Sequence, residues 1–155
     1  MKDQPRRRRG GDTNRSPLER KSTSPSSRLR VLVVEDDANM RESLEVYLTL
    51  LGHRAHLATD LASALQVASE ERFDALLCDL RLPDGDGCRL LRQLDQTGHR
   101  PPAVVSMSLS DGPEAAALSQ AAGFQGHLVK PFTPQQLEKA LAQAASAVRG
   151  QQPSG

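Results

Sequence analysis

The chain has 155 residues, of which 37% are hydrophobic and 25% are charged, a mixture typical of one globular domain with tails. No apolar run approaches the roughly 18 residues that a membrane-spanning helix needs, and the basic N-terminus lacks the apolar stretch of a secretory signal. We therefore expect no membrane association. Two cysteines without metal-binding spacing exclude a disulfide framework and a zinc finger, and they favour a reducing, cytoplasmic location.

The net charge of +1 conceals an uneven distribution of charge along the chain. Residues 1–30 carry ten Lys or Arg and three acids, a net charge of +7, whereas residues 31–155 carry a net charge of −6. Residues 1–28 are rich in Pro, Gly, Ser and Thr and nearly devoid of apolar side chains, so burial cannot offset the entropy of ordering them. This pattern predicts a disordered basic arm at residues 1–28, a folded domain at residues 29–149 and a flexible tail at residues 150–155.

Five short apolar strands are predicted, and each is followed by a helix. The strands span residues 29–34, 54–58, 75–79, 103–107 and 126–129. The signals that delimit the helices are Gly52, Thr59 or Asp60, the turn at residues 83–85, the stretch 113–122 and Thr133. Apolar strands that alternate with amphipathic helices favour an α/β fold with a doubly wound, five-stranded parallel sheet.

Polar residues stand at the carboxyl ends of four of the predicted strands. The acidic run 35–37 follows the first strand, and Asp79 ends the third. Ser106 and Ser108 lie at the end of the fourth strand, and the Lys130–Pro131 pair follows the fifth. Because the carboxyl ends of parallel strands meet at one edge of the sheet, where such folds bind ligands, these side chains are expected to converge.

Carboxylates in close proximity raise one another's pKa unless a cation neutralises them, and Mg²⁺ suits a site of carboxylates, carbonyls and water. A lysine at the same point suits a phosphate oxygen, so an aspartate there can accept a phosphoryl group. Taken singly, each residue also has an ordinary structural explanation. Asp37 is expected to cap the first helix and Asp84 to form a turn. The joint placement of the others favours a functional site.

Three motifs, VLVVEDD (31–37), LLCDLRLPDGDG (76–87) and GHLVKPF (126–132), resemble those of receiver domains in the response regulators of two-component signalling. The resemblance covers about residues 29–148 and implies the flavodoxin-like receiver fold. It also implies that Mg²⁺ is held by Glu35, Asp36, Asp79 and the backbone carbonyl of Arg81.

The same resemblance implies roles for residues around the acids. Asp79 would accept a phosphoryl group from a histidine kinase or a phosphotransfer protein, and Lys130 would precede a cis proline, Pro131. Two positions depart from the common pattern. The phosphoryl-sensing hydroxyl is Ser108 when counted back from Lys130 but Ser106 when counted from the preceding prolines, and we expect Ser108. The aromatic switch position holds His127.

The function expected from the resemblance is that of a phosphorylated switch that catalyses only its own phosphorylation and dephosphorylation. The face formed by the fourth helix, fifth strand and fifth helix would then act on an unknown downstream protein. No pattern of an output domain follows, so we expect a stand-alone receiver, with a fragment of a larger regulator or hybrid kinase as the alternative.

Two other functions remain as alternatives. A small phosphohydrolase with an aspartate nucleophile needs a second acid two residues after Asp79, where this chain has Arg81. A nucleic acid or an acidic partner could bind through the basic arm, where residues 6–9 are four consecutive arginines. The near absence of aromatic residues argues against nucleic-acid binding elsewhere in the chain.

Overall fold

The structure is a computed structural model that describes residues 28–109 and 112–151. Five parallel strands form its sheet in the order β2-β1-β3-β4-β5. The strands are β1 Arg30–Val34, β2 Arg54–Ala58, β3 Ala75–Asp79, β4 Ala103–Ser108 and β5 Gly126–Val129. The predicted five-stranded parallel sheet is therefore confirmed. The predicted disordered arm lies, apart from Arg28, outside the described residues.

Five helices cover the sheet on both faces, as predicted for a doubly wound fold. They are α1 Ala38–Leu50, α2 Leu61–Glu70, α3 Gly87–Thr97, α4 Pro113–Ala122 and α5 Pro134–Gln151. Leucines of α1 and α5 pack on one face, against Val31 and Val33 of β1. Apolar residues of α2 and α3 pack on the other face, against Leu32 and Val34. Successive residues of one strand thus supply two separate cores, because strand side chains alternate between faces.

Side chains at the helix termini satisfy backbone groups that the helices leave unpaired. Asp37 caps α1 by accepting from Met40 N at 2.8 Å, which is the role expected of it. Asp60, rather than Thr59, caps α2 in a reciprocal pair with Ser63. Gly52 follows the end of α1 at a φ of +90°, a conformation that suits glycine and ends the helix as predicted.

Three boundaries differ from the sequence-based expectation. β4 extends one residue further, to Ser108, because Ser108 lies opposite Val129 and its carbonyl accepts from Lys130 N. α5 continues to Gln151 instead of giving way to a tail at residue 150, since one glycine costs a helix only about 1 kcal/mol. The turn at residues 83–85 joins two short antiparallel strands, Arg81–Leu82 and Gly85–Asp86.

Within residues 28–109 and 112–151, no helix has both the length and the apolar composition required to cross a bilayer.

Candidate functional site

Three carboxylates meet at the carboxyl edge of the sheet. β1 and β3 are neighbours and pair Val34 with Cys78, so the residues that follow on each strand, Glu35 and Asp79, come side by side. One carboxylate oxygen from each of Glu35, Asp36 and Asp79 lies within 4.8 Å of the others. Glu35 and Asp79 are only 1% and 7% exposed, whereas Asp36 is exposed. The cluster therefore has a buried side and a side open to solvent.

Lys130 reaches this cluster from the end of β5, which is an edge strand of the sheet. Its Nζ lies 2.6 Å from Oε1 of Glu35 and 2.8 Å from Oδ2 of Asp79. The residue follows β5, which β4 separates from β3, so the side chain passes over the end of β4. The peptide bond between Lys130 and Pro131 is cis. One ammonium group thus bridges the acids of β1 and β3.

Burial and pairing shift the pKa values of these groups. Burial raises the pKa of Glu35, and the negative charge of Asp79 adds to this, while the hydrogen bonds from Lys130 and from Asp37 N oppose it. For Lys130, burial alone would lower the pKa, but the hydrogen bonds and charges of Asp79 and Glu35 outweigh it and raise the pKa. The lysine therefore stays charged between the two carboxylates.

The donors of this cluster fit a hard divalent cation. Such ions prefer carboxylate oxygens, and Mg²⁺ is usually bound by one or a few carboxylates together with water. Glu35, Asp36 and Asp79 supply three, and the exposed Asp36 leaves one side of the cluster accessible to water. Arg81 N donates to Oδ1 of Asp79 at 3.0 Å, so the chain folds back over Asp79 at the residue whose carbonyl was expected to contribute.

Arg41 supports the acidic loop, and the sequence analysis did not identify it. Its Nη1 donates to the carbonyl oxygens of Glu35 and Asp36, both at 2.9 Å. The guanidinium group therefore fixes the backbone of Glu35 and Asp36, whose side chains belong to the cluster. In the sequence, Arg41 is only one charged residue among several on α1, and nothing there marks a contact with the preceding loop.

Gly87 lies directly beneath Asp79 and was also missed. A Cβ at this position would lie 2.7 Å from the carbonyl oxygen of Asp79 and 3.1 Å from Sγ of Cys78. Gly87 begins α3, and its N–H donates to the carbonyl of Leu80 at 3.0 Å. The glycine permits α3 to approach the backbone of the acidic site, and the Gly-Asp-Gly pattern of residues 85–87 was the available signal.

Asp84 has a wider role than the turn expected of it. Its two carboxylate oxygens accept from the backbone N–H groups of Leu61 and Ala62 at 2.8 and 3.1 Å. These are donors in the first turn of α2, which a helix leaves unpaired. Asp84 therefore joins the loop after β3 to the start of α2 and is not part of the acidic cluster.

The two candidate serines and His127 form one hydrogen-bonded group. Ser108, the last residue of β4, is 8% exposed, and its Oγ lies 3.1 Å from Nε2 of His127. Ser106 is fully buried, and its Oγ lies 2.7 Å from Nδ1 of the same ring and 2.5 Å from Oγ of Ser119 in α4. Burial lowers the pKa of His127, which favours the neutral ring. The imidazole is thus held between the two serines.

Register places Ser108, and not Ser106, at the edge that carries the acids. Asp79 lies opposite Met107 across the β3–β4 pair, and Ser108 is the next residue towards the carboxyl end. Ser106 lies opposite Cys78, one residue inside the sheet. Ser108 is therefore the serine at the level of the acidic cluster, and Ser106 is a buried neighbour.

Comparison with known proteins agrees with this arrangement. The sequence model of the response regulator receiver domain matches residues 31–142. The response regulator MprA of Mycobacterium leprae is 35% identical over 125 residues, which are 81% of this chain and 53% of that protein. The chain thus spans about half the length of the curated relatives it matches.

Solved structures that are similar to this one include a chemotaxis protein and the receiver domain of a sensor histidine kinase. The chemotaxis protein CheY4 of Vibrio cholerae has a TM-score of 0.69 and 28% identity, with 76% of this chain and 98% of that chain covered. The receiver domain of the sensor histidine kinase PA1611 from Pseudomonas aeruginosa has a TM-score of 0.69 and 28% identity, covering 77% and 98%; it was solved with a magnesium ion coordinated in the active site cleft. Together, the parallel fold, the acidic cluster with its lysine and the match over residues 31–142 show that this chain belongs to the response regulator receiver domain family of two-component systems.

Proposed function

We propose that Asp79 accepts a phosphoryl group from the phosphohistidine of a histidine kinase or phosphotransfer protein. The observation that carries this proposal is the position of Lys130, whose Nζ lies 2.8 Å from Oδ2 of Asp79. An ammonium held beside a carboxylate can bind an oxygen of the phosphoryl group as that group reaches the carboxylate. Membership of the receiver family supports the same role.

In this reaction a carboxylate oxygen of Asp79 attacks phosphorus, and the bond between phosphorus and the donor imidazole breaks. The electron pair of that bond returns to the donor ring, and an acyl phosphate forms on Asp79. Lys130 then exchanges its contact with the carboxylate for one with a phosphoryl oxygen. The N–H of Arg81, now 3.0 Å from Oδ1 of Asp79, helps to orient the carboxylate for attack.

Glu35, Asp36, Asp79 and the carbonyl of Arg81 would hold Mg²⁺ in this site. The ion supplies positive charge that offsets the charge of the transferring phosphoryl oxygens. The donor set supports this assignment, because among the described residues one ammonium, that of Lys130, pairs with two of the three carboxylates. The magnesium-bound relative supports it as well.

The output surface we propose is the face formed by α4, β5 and α5. A groove of about 360 Å³ runs between β5 and α5, and His127, Phe132 and Lys139 are among its lining residues. His127 therefore belongs both to the hydrogen-bonded group beside the acidic site and to the wall of this groove. A change in the imidazole can alter the surface that a downstream protein contacts.

The receiver would catalyse only its own phosphorylation and dephosphorylation. A phosphohydrolase with an aspartate nucleophile requires a second acid to protonate the leaving group, two residues after the nucleophile. That position holds Arg81, which is exposed and cannot serve as a general acid at neutral pH. The acyl phosphate should consequently last long enough to signal.

Intact mass after incubation with acetyl phosphate and Mg²⁺ tests the proposed acceptor. The wild type should gain one phosphoryl group, and Asp79→Asn should gain none. Asp37→Asn is the matched control, because it removes a nearby carboxylate that caps α1 and lies outside the cluster. Phosphorylation that persists in Asp79→Asn would overturn the assignment.

A further inference from the structure

A hydroxyl group of α4 contacts the sheet, while Ala122 packs on the adjoining core. Ser119 is the buried residue of α4, at 1% exposure, and its Oγ lies 2.5 Å from Oγ of Ser106 in β4. Most of the other side chains of α4 are alanines, and Leu118 is 60% exposed. A change in this hydrogen bond therefore acts directly on a residue of α4.

From Ser106 the hydrogen bonds continue to the acidic edge of the sheet. Ser106 Oγ lies 2.7 Å from Nδ1 of His127, and Nε2 of the same ring lies 3.1 Å from Oγ of Ser108. We call this chain, Ser119–Ser106–His127–Ser108, the hydroxyl–imidazole relay. It links α4 to Ser108, which follows Met107, the residue opposite Asp79 in the β3–β4 pair.

A neutral imidazole has one donor and one acceptor nitrogen, and a hydroxyl has one proton, so the relay can run in two directions. In the site-directed arrangement, Ser119 donates to Ser106, Ser106 donates to Nδ1, and Nε2–H donates to Ser108. In the opposite, helix-directed arrangement, Ser108 donates to Nε2, Nδ1–H donates to Ser106, and Ser106 donates to Ser119 or, over a longer 3.4 Å, to the carbonyl oxygen of Gly126. Each serine keeps one proton and the ring keeps one, so both arrangements have the same charge.

We propose that a phosphoryl group on Asp79 selects the site-directed arrangement and so fixes the direction of the relay as far as Ser119 in α4, whereas the contacts of the unphosphorylated site allow either direction. This inference rests on the proposed function. Phosphoryl oxygens act as acceptors, and Ser108 can bond to one only by donating its proton. Nε2 then carries the ring proton and donates to Ser108, Nδ1 accepts from Ser106, and Ser119 is the donor to Ser106. Hydrogen bonds that point the same way also strengthen one another.

NMR of protein labelled with ¹⁵N tests this proposal, with beryllofluoride and Mg²⁺ in place of the acyl phosphate. In the wild type, addition of beryllofluoride should move the Nε2 signal of His127 towards the protonated type and the Nδ1 signal towards the unprotonated type. Amide signals of α4 should shift at the same time.

Two variants cut the relay on its helix side. In Ser106→Ala and in Ser119→Ala, the α4 amide shifts caused by beryllofluoride should be lost, while the amide of Asp79 still responds. Gln120→Ala is the matched control, since Gln120 is the exposed neighbour of Ser119 on the same helix and should leave the α4 response intact. Each variant deletes a single hydroxyl or a surface side chain, and the remaining amide signals report whether it folds.

The outcomes separate the relay from the proposed function. If the amide of Asp79 responds to beryllofluoride but Nε2 of His127 does not carry the ring proton in that state, the relay is wrong and the phosphoryl site stands. The relay would likewise be overturned if beryllofluoride shifted the α4 amide signals of both Ser106→Ala and Ser119→Ala as much as those of the wild type. If beryllofluoride leaves Asp79 unperturbed, the proposed function fails, and the relay fails with it.

Discussion

Oε1 of Glu35 lies 2.6 Å from Nζ of Lys130, although 95 residues separate them in the chain. Glu35 is only 1% exposed, and burial raises its pKa, so its charge depends on a cation nearby. Among the described residues that cation is Lys130, whose Nζ also lies 2.8 Å from Oδ2 of Asp79. The lysine that we assign to the phosphoryl group therefore also stabilises the resting site.

Replacement of this lysine should destabilise the metal-free protein. In Lys130→Met, two largely buried carboxylates lose their shared partner, and loss of one member of a buried ion pair costs about 3 kcal/mol or more. Mg²⁺ should recover a large part of this loss because it supplies the missing charge. Urea unfolding in EDTA and in Mg²⁺ measures both effects, with the exposed Lys139→Met as control. Equal stability losses in the two variants would contradict this account of the site.

Two adjacent acids should differ in their contribution to Mg²⁺ binding. Asp36 contributes an oxygen to the cluster, whereas Asp37 accepts from Met40 N at the start of α1. Asp36→Asn should weaken Mg²⁺ affinity strongly. Asp37→Asn should leave it nearly unchanged, and asparagine should also preserve the helix cap, while Asp37→Ala should cost about 0.5–2 kcal/mol of stability. Calorimetric titration with Mg²⁺ compares them, and similar losses of affinity would argue against the separation.

A methyl group added at Gly87, beneath Asp79, should disturb the protein more than one added on a strand of the sheet. In Gly87→Ala, the new Cβ would lie 2.7 Å from the carbonyl oxygen of Asp79, so the backbone must shift, at a cost of about 1–3 kcal/mol. Gly126→Ala is the matched control, because its Cβ would meet Val105 at an ordinary 3.5 Å. The midpoint temperature of thermal unfolding and the affinity for Mg²⁺ should both fall in Gly87→Ala. Equal behaviour of the two variants would mean that α3 can move away from Asp79 at little cost.

Most of the fold could be predicted because it depends on local patterns. Short apolar runs such as residues 75–79 indicate buried strands, and parallel strands bring their carboxyl ends to one edge. This is why Glu35, Asp79 and Lys130 could be grouped before their distances were known. The helix caps at Asp37 and Asp60 are local as well, since each involves a donor only three residues away.

The remaining contacts depend on how distant segments pack. Asp84 caps a helix that begins 23 residues earlier, and Gly87 is required by the close approach of α3 to Asp79. Ser106 and Ser108 point to the same face of β4, so the alternation of the strand cannot tell which one meets the acidic edge. That distinction needs the β3–β4 register, and the contact of Ser106 with Ser119 needs the position of α4.

Ser108 should be the hydroxyl that senses the phosphoryl group. It is the last residue of β4 and follows Met107, which lies opposite Asp79. Its Oγ lies 3.1 Å from Nε2 of His127. Ser108→Ala should still accept phosphoryl at Asp79, because Lys130 and the acids remain in place. The activated state should lose about 1.5–3 kcal/mol, the value of a hydrogen bond to a charged group, which corresponds to a roughly tenfold to hundredfold weaker response to beryllofluoride.

The ring signals of His127 distinguish Ser108 from Ser106. Beryllofluoride should no longer change these signals in Ser108→Ala, because the phosphoryl analogue can then reach the imidazole only through a hydroxyl that is absent. Ser106→Ala is the matched variant: it removes the partner of Nδ1 but keeps the link between Ser108 and Nε2, so the ring should still respond. A ring response that survives in Ser108→Ala and disappears in Ser106→Ala would assign the sensing role to Ser106, one residue deeper in the sheet than Met107, the partner of Asp79.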